Sequence, residues 1–381
     1  MSLHSLTSVA GLVVLFATAV YAFLTLISSV VFRLRRAPSI DEVRAVSVLK
    51  PLCGNEPALY ANLRSFCTQD YPCFELVFGV RDPDDPALAV VARLRREFPA
   101  LRITVAIESE PSGVNRKVSN LVNMLPHASH DLIVVADSDT RVEKGYLQAV
   151  LAPLTDARNG LVTCLYDRVP AAGFWSLLGA MYINDWYTPC VMLAWLFGDR
   201  RYVSGQTIAM RRETLAAIGG FDGVASHLAD DYQLGDNVRR LGLKVVLSPY
   251  VPCTVQGEPT FAALSAHELR WMRTLRTLAP GAFRFLCVSF TLPLLLIGLA
   301  LSGLHPSETA LILAGLTLTG RLGAAALARL ARPASLWEMV LLPLRDVVLF
   351  WTWSRAFFTS RVSWRGSEFE VDPQGMMRAI R

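Results

Sequence analysis

Leu132-Ile133-Val134-Val135-Ala136-Asp137-Ser138-Asp139 joins five consecutive apolar residues to two carboxylates spaced i, i+2. So short and apolar a run, rich in β-branched side chains, predicts a strand over Leu132 to Ala136 that is buried on both faces, as in parallel sheets covered by helices. Ligands of such open sheets collect beyond the carboxyl ends of the strands, which is where Asp137 and Asp139 fall. Two carboxylates there can address one divalent cation, and hard oxygen donors with room for diphosphate oxygens suit Mg²⁺ or Mn²⁺. The same residues also read as a turn or a helix cap.

Working outward, further strands are expected at Val46 to Lys50, Glu75 to Val80, Arg102 to Ile107, Leu161 to Leu165, Val203 to Met210 and Lys244 to Leu247. Helices at Pro57 to Thr68, Pro86 to Phe98 and Lys117 to Leu125 alternate with them, each after a turn rich in Pro, Asn, Asp or Gly. This is an α/β pattern with a mostly parallel sheet. The second strand also ends acidic, in Val80-Arg81-Asp82-Pro83-Asp84-Asp85. No GxxxxGK[ST] and no GxGxxG after the first strand occurs, so P-loop and dinucleotide folds lose their main support. Gly113 to Asn120 (GVNRKVSN) offers a turn, two cations and a helix N-terminus that suit an anionic group, or equally an exposed basic turn. At His227 to Tyr232 two adjacent acids open a helix; they complement its dipole, or one accepts a proton from an attacking hydroxyl. Arg270 and Trp271, within His267-Glu268-Leu269-Arg270-Trp271, can hold diphosphate and wall a site, or anchor a helix at the membrane interface.

The chain has 381 residues, 52% hydrophobic and only 18% charged, a balance that points to a membrane protein. Its net charge of +5 is modest and fits membrane borders; no nucleic-acid partner is implied. Seven cysteines without a CxxC pair suggest neither a zinc knuckle nor a disulfide framework. Residues 9–32 lack any charged side chain and exceed the roughly 20 residues an apolar helix needs to cross a bilayer. Arg33, Arg35 and Arg36 follow and no Lys or Arg precedes, an order that favours an uncleaved anchor over a signal peptide and places the next domain in the cytosol. Residues 284–304 and 308–331 read as two further spans joined at His305 to Ser307. Residues 337–358 contain Glu338, Arg345 and Asp346, and a lipid-facing charge at mid-bilayer costs about 2.5–3.5 kcal/mol, so this stretch spans, re-enters or lies in the interface. A cytosolic basic tail (Arg355, Arg361, Arg365, Arg378, Arg381) is incompatible with three full crossings after a cytosolic domain, so one of these segments is expected to stop short. Arg345 with Asp346 reads as a charge pair holding the bundle rather than a transport path. The apolar stretch 173–198 is interrupted by Asn184, Asp185 and Pro189 and is expected in the interface, guiding a lipid or only seating the domain. The expected organisation is an anchor and basic linker at 1–44, a cytosolic α/β domain at 45–282, transmembrane or re-entrant helices at 283–360 and a cytosolic tail at 361–381.

Taken in order, LKPLCGNEP (49–57), VRDPDDPA (80–87), GVNRKVSNL (113–121), ADSDTRV (136–142), VSGQTIAMRRETL (203–215), ADDYQLG (229–235) and HELRWMRTLR (267–276) resemble a family 2 glycosyltransferase of the ceramide glucosyltransferase group. Within it the chain looks nearest to the bacterial hopanoid-biosynthesis branch. The resemblance implies a GT-A fold and an inverting transfer from a UDP-sugar donor to a membrane lipid acceptor, on a multi-pass protein of the bacterial inner membrane. Asp82 would touch the uridine, Asp137 and Asp139 would serve donor and divalent metal, and Asp231 would be the general base. Lys117 would contact the diphosphate, and Arg270 and Trp271 match the family's Q/R-x-x-R-W signature, whose first position is His267 here and receives no role. N-acetylglucosamine onto a hopanoid polyol such as bacteriohopanetetrol is the expected reaction, with glucose onto ceramide as the alternative. A processive polysaccharide synthase is the remoter one, disfavoured by few spans and by His267, and a transporter or scaffold leaves Asp137, Asp139 and Asp231 without a reason to converge.

Overall fold

Period-two alternation gives the central sheet two buried faces. In β1 (Val46–Pro51) Val46 and Val48 face one core and Leu49 the other; in β2 (Phe74–Val80) Leu76, Phe78 and Val80 oppose Val77. After β3 (Ile103–Ile107), β4 (Leu132–Val135) repeats the division, with Leu132 and Val134 against Ile133 and Val135. The first core is closed by helices Leu59–Cys67, Ala87–Glu97 and Tyr146–Leu151, the second by Arg116–Met124, Arg212–Ala217 and Asp230–Arg240. Because both faces are covered, these strands carry continuous apolar runs, which is why they are readable from sequence.

The remaining strands are β5 (Thr140–Arg141), β6 (Asn159–Cys164), β7 (Asp167–Pro170), β8 (Ile208–Arg211), β9 (Lys244–Ser248), β10 (Cys253–Gln256), β11 (Arg361–Trp364), β12 (Ser367–Val371) and β13 (Met377–Ala379). The main sheet runs β3-β2-β1-β4-β8-β6-β9, parallel throughout except for β8, which is antiparallel to β4 and β6. Two three-stranded sheets, β5-β10-β7 and β11-β12-β13, accompany it. The strand expected over Val203 to Met210 is confined to Ile208–Arg211; before it Ser204 to Thr207 form a tight turn closed by Thr207 N donating to Ser204 O at 3.1 Å.

This computed structural model describes residues 3–38, 43–108, 113–330, 335–358, 361–364, 367–372 and 375–379. Arg365 and Arg381 of the basic tail lie outside the described residues. The chain forms two units, the α/β unit above (36–177, 200–257 and 361–381) and a helical unit (1–35, 178–199 and 258–360).

In the helical unit, among the described residues, Ser5–Arg33 and Glu308–Leu330 are long and apolar enough to cross a membrane. The span expected at 284–304 is broken: Pro280–Ser289 and Thr291–Ser302 meet at 70° around Phe290. Pro293 accounts for the break, since it has no N–H to donate and its ring would clash with the carbonyl four residues earlier in a continuous helix. Helix Leu342–Arg355 has 14 residues, about 21 Å at 1.5 Å each, too short to cross roughly 30 Å of hydrocarbon. Two of its charges, Arg345 and Asp346, are paired inside the unit. Arg345 makes a bidentate bond to Glu268, 2.7 Å to each oxygen, and Asp346 accepts from Arg321 at 2.7 Å. In the 173–198 stretch a π-helical turn at Ile183–Tyr187 buries Asn184 and Asp185, and Asp185 receives both terminal nitrogens of Arg329 at 2.5 and 3.0 Å.

Candidate active site

The carboxyl edge of the main sheet gathers the polar residues of the α/β unit. Beyond β4 the chain turns at once, Thr140 N donating to Asp137 O at 3.2 Å, so that Asp137 and Asp139 leave the sheet together. Lys50 at the end of β1 fixes that turn by donating from Nζ to Asp137 O at 2.7 Å, and Ser138 Oγ donates to Glu56 at 2.5 Å. Burial pulls Lys50 down to about 7 despite nearby Asp139, Asp137 and Glu56.

A second segment arrives from helix Arg116–Met124. Asn115 caps it, its side-chain oxygen accepting from Lys117 N and Val118 N. The cap directs Lys117 Nζ to Asp137 Oδ1 at 2.7 Å and Asp230 Oδ2 at 3.8 Å. Of the two cations in this stretch Arg116 is exposed, whereas the Lys117 side chain is only 19% exposed. Burial disfavours its charge, but Asp137, Asp230 and Asp231 outweigh that and hold its pKa above the ordinary lysine range.

The third and fourth segments are Ser204 to Thr207 and the start of helix Asp230–Arg240. Gly205 N donates to Asp231 Oδ2 at 3.0 Å, and Asp231 Oδ1 accepts from Tyr232 N at 2.8 Å. A Cβ at Gly205 would collide with Lys117 Nζ and lie 3.1 Å from Asp137 Oδ2. Glycine leaves room here for the close approach of Lys117 to Asp137 beside the Gly205 bond to Asp231. Asp231 is half-buried. Burial, then Asp230, push its carboxyl up to about 6, against the opposing pull of Lys117 and the two backbone donors.

A carboxyl with that pKa is ionised at neutral pH and basic enough to take a proton. If it is the base, activity is expected to be flat above about pH 6 and to fall as pH drops through that value, because only the carboxylate accepts a proton. A pH–rate profile of kcat checks this, and a rate unaffected between pH 7 and pH 5 would contradict it.

The chemistry of the acidic pair after β4 implies a divalent cation. Asp139 is 5% exposed and its Oδ1 has no hydrogen-bond partner, while burial and then Asp137 and Glu56 push its carboxyl up to about 7. Such a buried, under-satisfied oxygen beside a second carboxylate fits Mg²⁺ or Mn²⁺. Among the described residues no group of three or more His, Cys, Asp or Glu is arranged to hold a metal ion.

Asp82 lies on the same sheet edge, after β2 and therefore two strands from β4 across β1. It is exposed, and its Oδ1 accepts from Asp84 N at 2.9 Å. Arg270 and Trp271 belong to the helical unit, on helix Phe261–Leu278, whose N-terminus Thr260 caps by accepting from Ala263 N at 3.2 Å. Trp271 packs on His267 (ring centroids 4.2 Å apart) and Tyr182 (5.2 Å), and His267 Nδ1 bonds Glu258 at 2.9 Å. His267 thus steadies Trp271 through Glu258.

The model of the glycosyl transferase family 21 matches residues 11–377, almost the whole chain. The chain belongs to glycosyl transferase family 21. The ceramide glucosyltransferase group to which the motifs pointed is the one that its curated relatives represent. Ceramide glucosyltransferase 1 of Caenorhabditis elegans is 25% identical over 62% of this chain and 50% of its own length. Ceramide glucosyltransferase of Komagataella phaffii is 29% identical over 39% of this chain and 30% of its own. The chain spans about half the length, or less, of these curated relatives. Among solved structures, a mannosyltransferase from Pyrobaculum calidifontis aligns over 92% of this chain and 99% of its own with a TM-score of 0.52 at 17% identity. The family 21 chain therefore has the GT-A-type fold, with a mostly parallel central sheet and apolar helices on either side of it in sequence.

Sequence reasoning assigned no role to Gly205 or Lys50, and read Asn115 only within a basic turn and Asp230 only as one of two helix-opening acids. Gly205 and Asp230 sit inside the quoted VSGQTIAM and ADDYQLG stretches, but a glycine that must admit a lysine and two carboxylates is visible only once four distant segments are folded together.

Proposed function

We propose that this family 21 protein transfers a hexosyl unit from a UDP-sugar to a hydroxyl of a membrane lipid with inversion at the anomeric carbon. The observation that carries the reading is the Lys117–Asp137–Gly205–Asp231 cluster, in which a cation and two carboxylates from remote segments share the carboxyl edge of the sheet. Asp231 takes the proton from the lipid hydroxyl as it attacks, Lys117 holds diphosphate oxygens, and Asp82 contacts the uridine. Asp137 and Asp139 would hold the divalent metal, which when bound neutralises charge on the departing diphosphate. The Pyrobaculum mannosyltransferase was solved with GDP-Man and Mn²⁺, which supports Mn²⁺ or Mg²⁺ as the cation.

A lipid acceptor is supported by helices long and apolar enough to cross a membrane and by curated relatives named ceramide glucosyltransferases. Arg33, Arg35 and Arg36 after the first apolar helix support the reading of a multi-pass protein of the bacterial inner membrane with its α/β unit in the cytosol. The finer reading is N-acetylglucosamine onto a hopanoid polyol such as bacteriohopanetetrol, supported by NRKVSNLVNMLP, LADDYQLG and HELRWMRTLR as they stand. Glucose onto ceramide is the second reading, favoured by the relatives' names. Purified protein offered UDP-GlcNAc or UDP-Glc with either lipid separates them. Inverted glycolipid from the hopanoid and UDP-GlcNAc is expected; product only with ceramide overturns the finer reading, and no transfer to any lipid overturns the function.

A further inference from the structure

The chain leaves the α/β unit at Gly257 and returns to it only at Arg361, to build the antiparallel β11-β12-β13 sheet. That return is spent on one short segment. Met377 N donates to Ser226 O at 2.9 Å, Leu228 N donates to Gly375 O at 3.0 Å, and His227 and Met376 form a β-bridge between them. Phe369, Val371 and Met377, each under 10% exposed, pack with Val114 and Leu228. The turn into β13 is closed by Asp372, whose Oδ1 accepts from Met376 N at 2.9 Å, and Gly375 holds φ +84°, a conformation that suits glycine.

Residues 225–228 lead directly into helix Asp230–Arg240 and Asp231. On their other flank is Asn115, whose backbone N donates to Ala225 O at 2.8 Å and whose Nδ2 donates to His227 O and Asp230 Oδ1 at 3.0 and 3.1 Å. No side chain caps the helix that carries Asp231. Its entry segment is therefore fixed between Asn115 and the C-terminal strand.

We propose that the β12–β13 hairpin is a clamp whose residues Gly375 and Met377 position residues 225–228, and through them Asp231, for proton transfer. This rests on Asp231 being the base. Gly375 and Met377 are positioning residues: they touch neither donor nor acceptor and act through the 225–228 backbone.

The test uses the full chain in nanodiscs. Gly375→Val forces a β-branched residue into φ > 0 where a Cβ meets nothing within 4 Å, so it strains the turn without a clash. Expected are a loss of hydrogen-exchange protection in residues 224–232 of about tenfold, a similar fall in kcat, and a donor KM changed less than about twofold. Protection at residues 132–136 should stay as in the wild type, and Met377→Leu should retain both protection and kcat. If Gly375→Val loosens the whole unit, Met377→Asp, which puts a charge into the Phe369–Val371 contact, is read by the same measurements. Unchanged protection at 224–232 and unchanged kcat in a folded variant overturn the clamp. In an Asp231→Asn background Gly375→Val should cost nothing further; an independent, multiplicative loss there also overturns it. Full activity of Asp231→Asn alone overturns the base assignment instead, while the exchange data continue to report on the clamp.

Discussion

Asp231→Asn is expected to lower the transfer rate by roughly 10²–10⁴-fold while UDP binding survives. The substitution removes proton acceptance at neutral pH and one of the two backbone hydrogen bonds that hold the side chain. Gly205 N and Tyr232 N bond the two different oxygens of Asp231, so an asparagine oxygen keeps one of these bonds and turns its amide nitrogen toward the other donor. The loss of a charge changes the field at Lys117, but Asp137 at 2.7 Å and Asp230 remain to keep that lysine charged. The effect should therefore fall on kcat rather than on donor KM, the pattern of an interaction made in the transition state. Steady-state kinetics with calorimetric UDP titration check it; a folded variant at full rate refutes the role.

Arg345→Ala is expected to destabilise the helical unit by about 3–5 kcal/mol, the cost of leaving one member of a buried ion pair alone. Glu268 is 1% exposed and its two oxygens face Arg345 Nη1 and Nη2, with Nη1 also bonded to Leu178 O at 3.0 Å. Without the guanidinium that carboxylate must be buried uncompensated or force helix Phe261–Leu278, which carries Arg270 and Trp271, to move. Replacing both partners, as in Arg345→Met with Glu268→Leu, should recover most of the loss, because the desolvation of two charges disappears with their attraction. Thermal unfolding in detergent distinguishes the two variants; equal destabilisation of the single and the double would show that the pair is not the source.

The strands legible in the sequence are those buried on both faces. Val46 to Lys50, Glu75 to Val80 and Leu132 to Ala136 announce themselves because nothing polar can interrupt them without burial. Sheet β5-β10-β7 was illegible for the opposite reason: two to four residues per strand, among them Thr140, Arg141, Asp167 and Arg168, carry no alternation to read. Val203 to Met210 looked like one strand because an apolar flank on each side hid the Ser204 to Thr207 turn. At residues 284–304 hydropathy favours a single helix, and only Pro293 hints at the 70° break.

The site divides along the same line. Asp137 and Asp139 are marked by the strand before them, and Lys117 by its helix N-terminus. Asp231 was weighed against a plain dipole-complementing acid, and what sets it apart is tertiary: the Gly205 donor and the Asp230 and Lys117 charges around it. Asn115 looked like part of a basic turn, although it joins the helix cap to Asp230. The C-terminal residues read as a basic tail, since the charge pattern of Arg361 to Arg381 gives no sign that β13 pairs with residues 226–228.

The most direct measurement is the Mn²⁺ electron paramagnetic resonance spectrum of the full-length protein, titrated with and without UDP. Saturable Mn²⁺ binding that UDP tightens, weakened at least about tenfold by Asp139→Ala, is the expected result. Mn²⁺ and UDP binding that neither reinforce each other nor respond to Asp139→Ala would contradict a shared nucleotide and cation site at the carboxyl edge of the sheet.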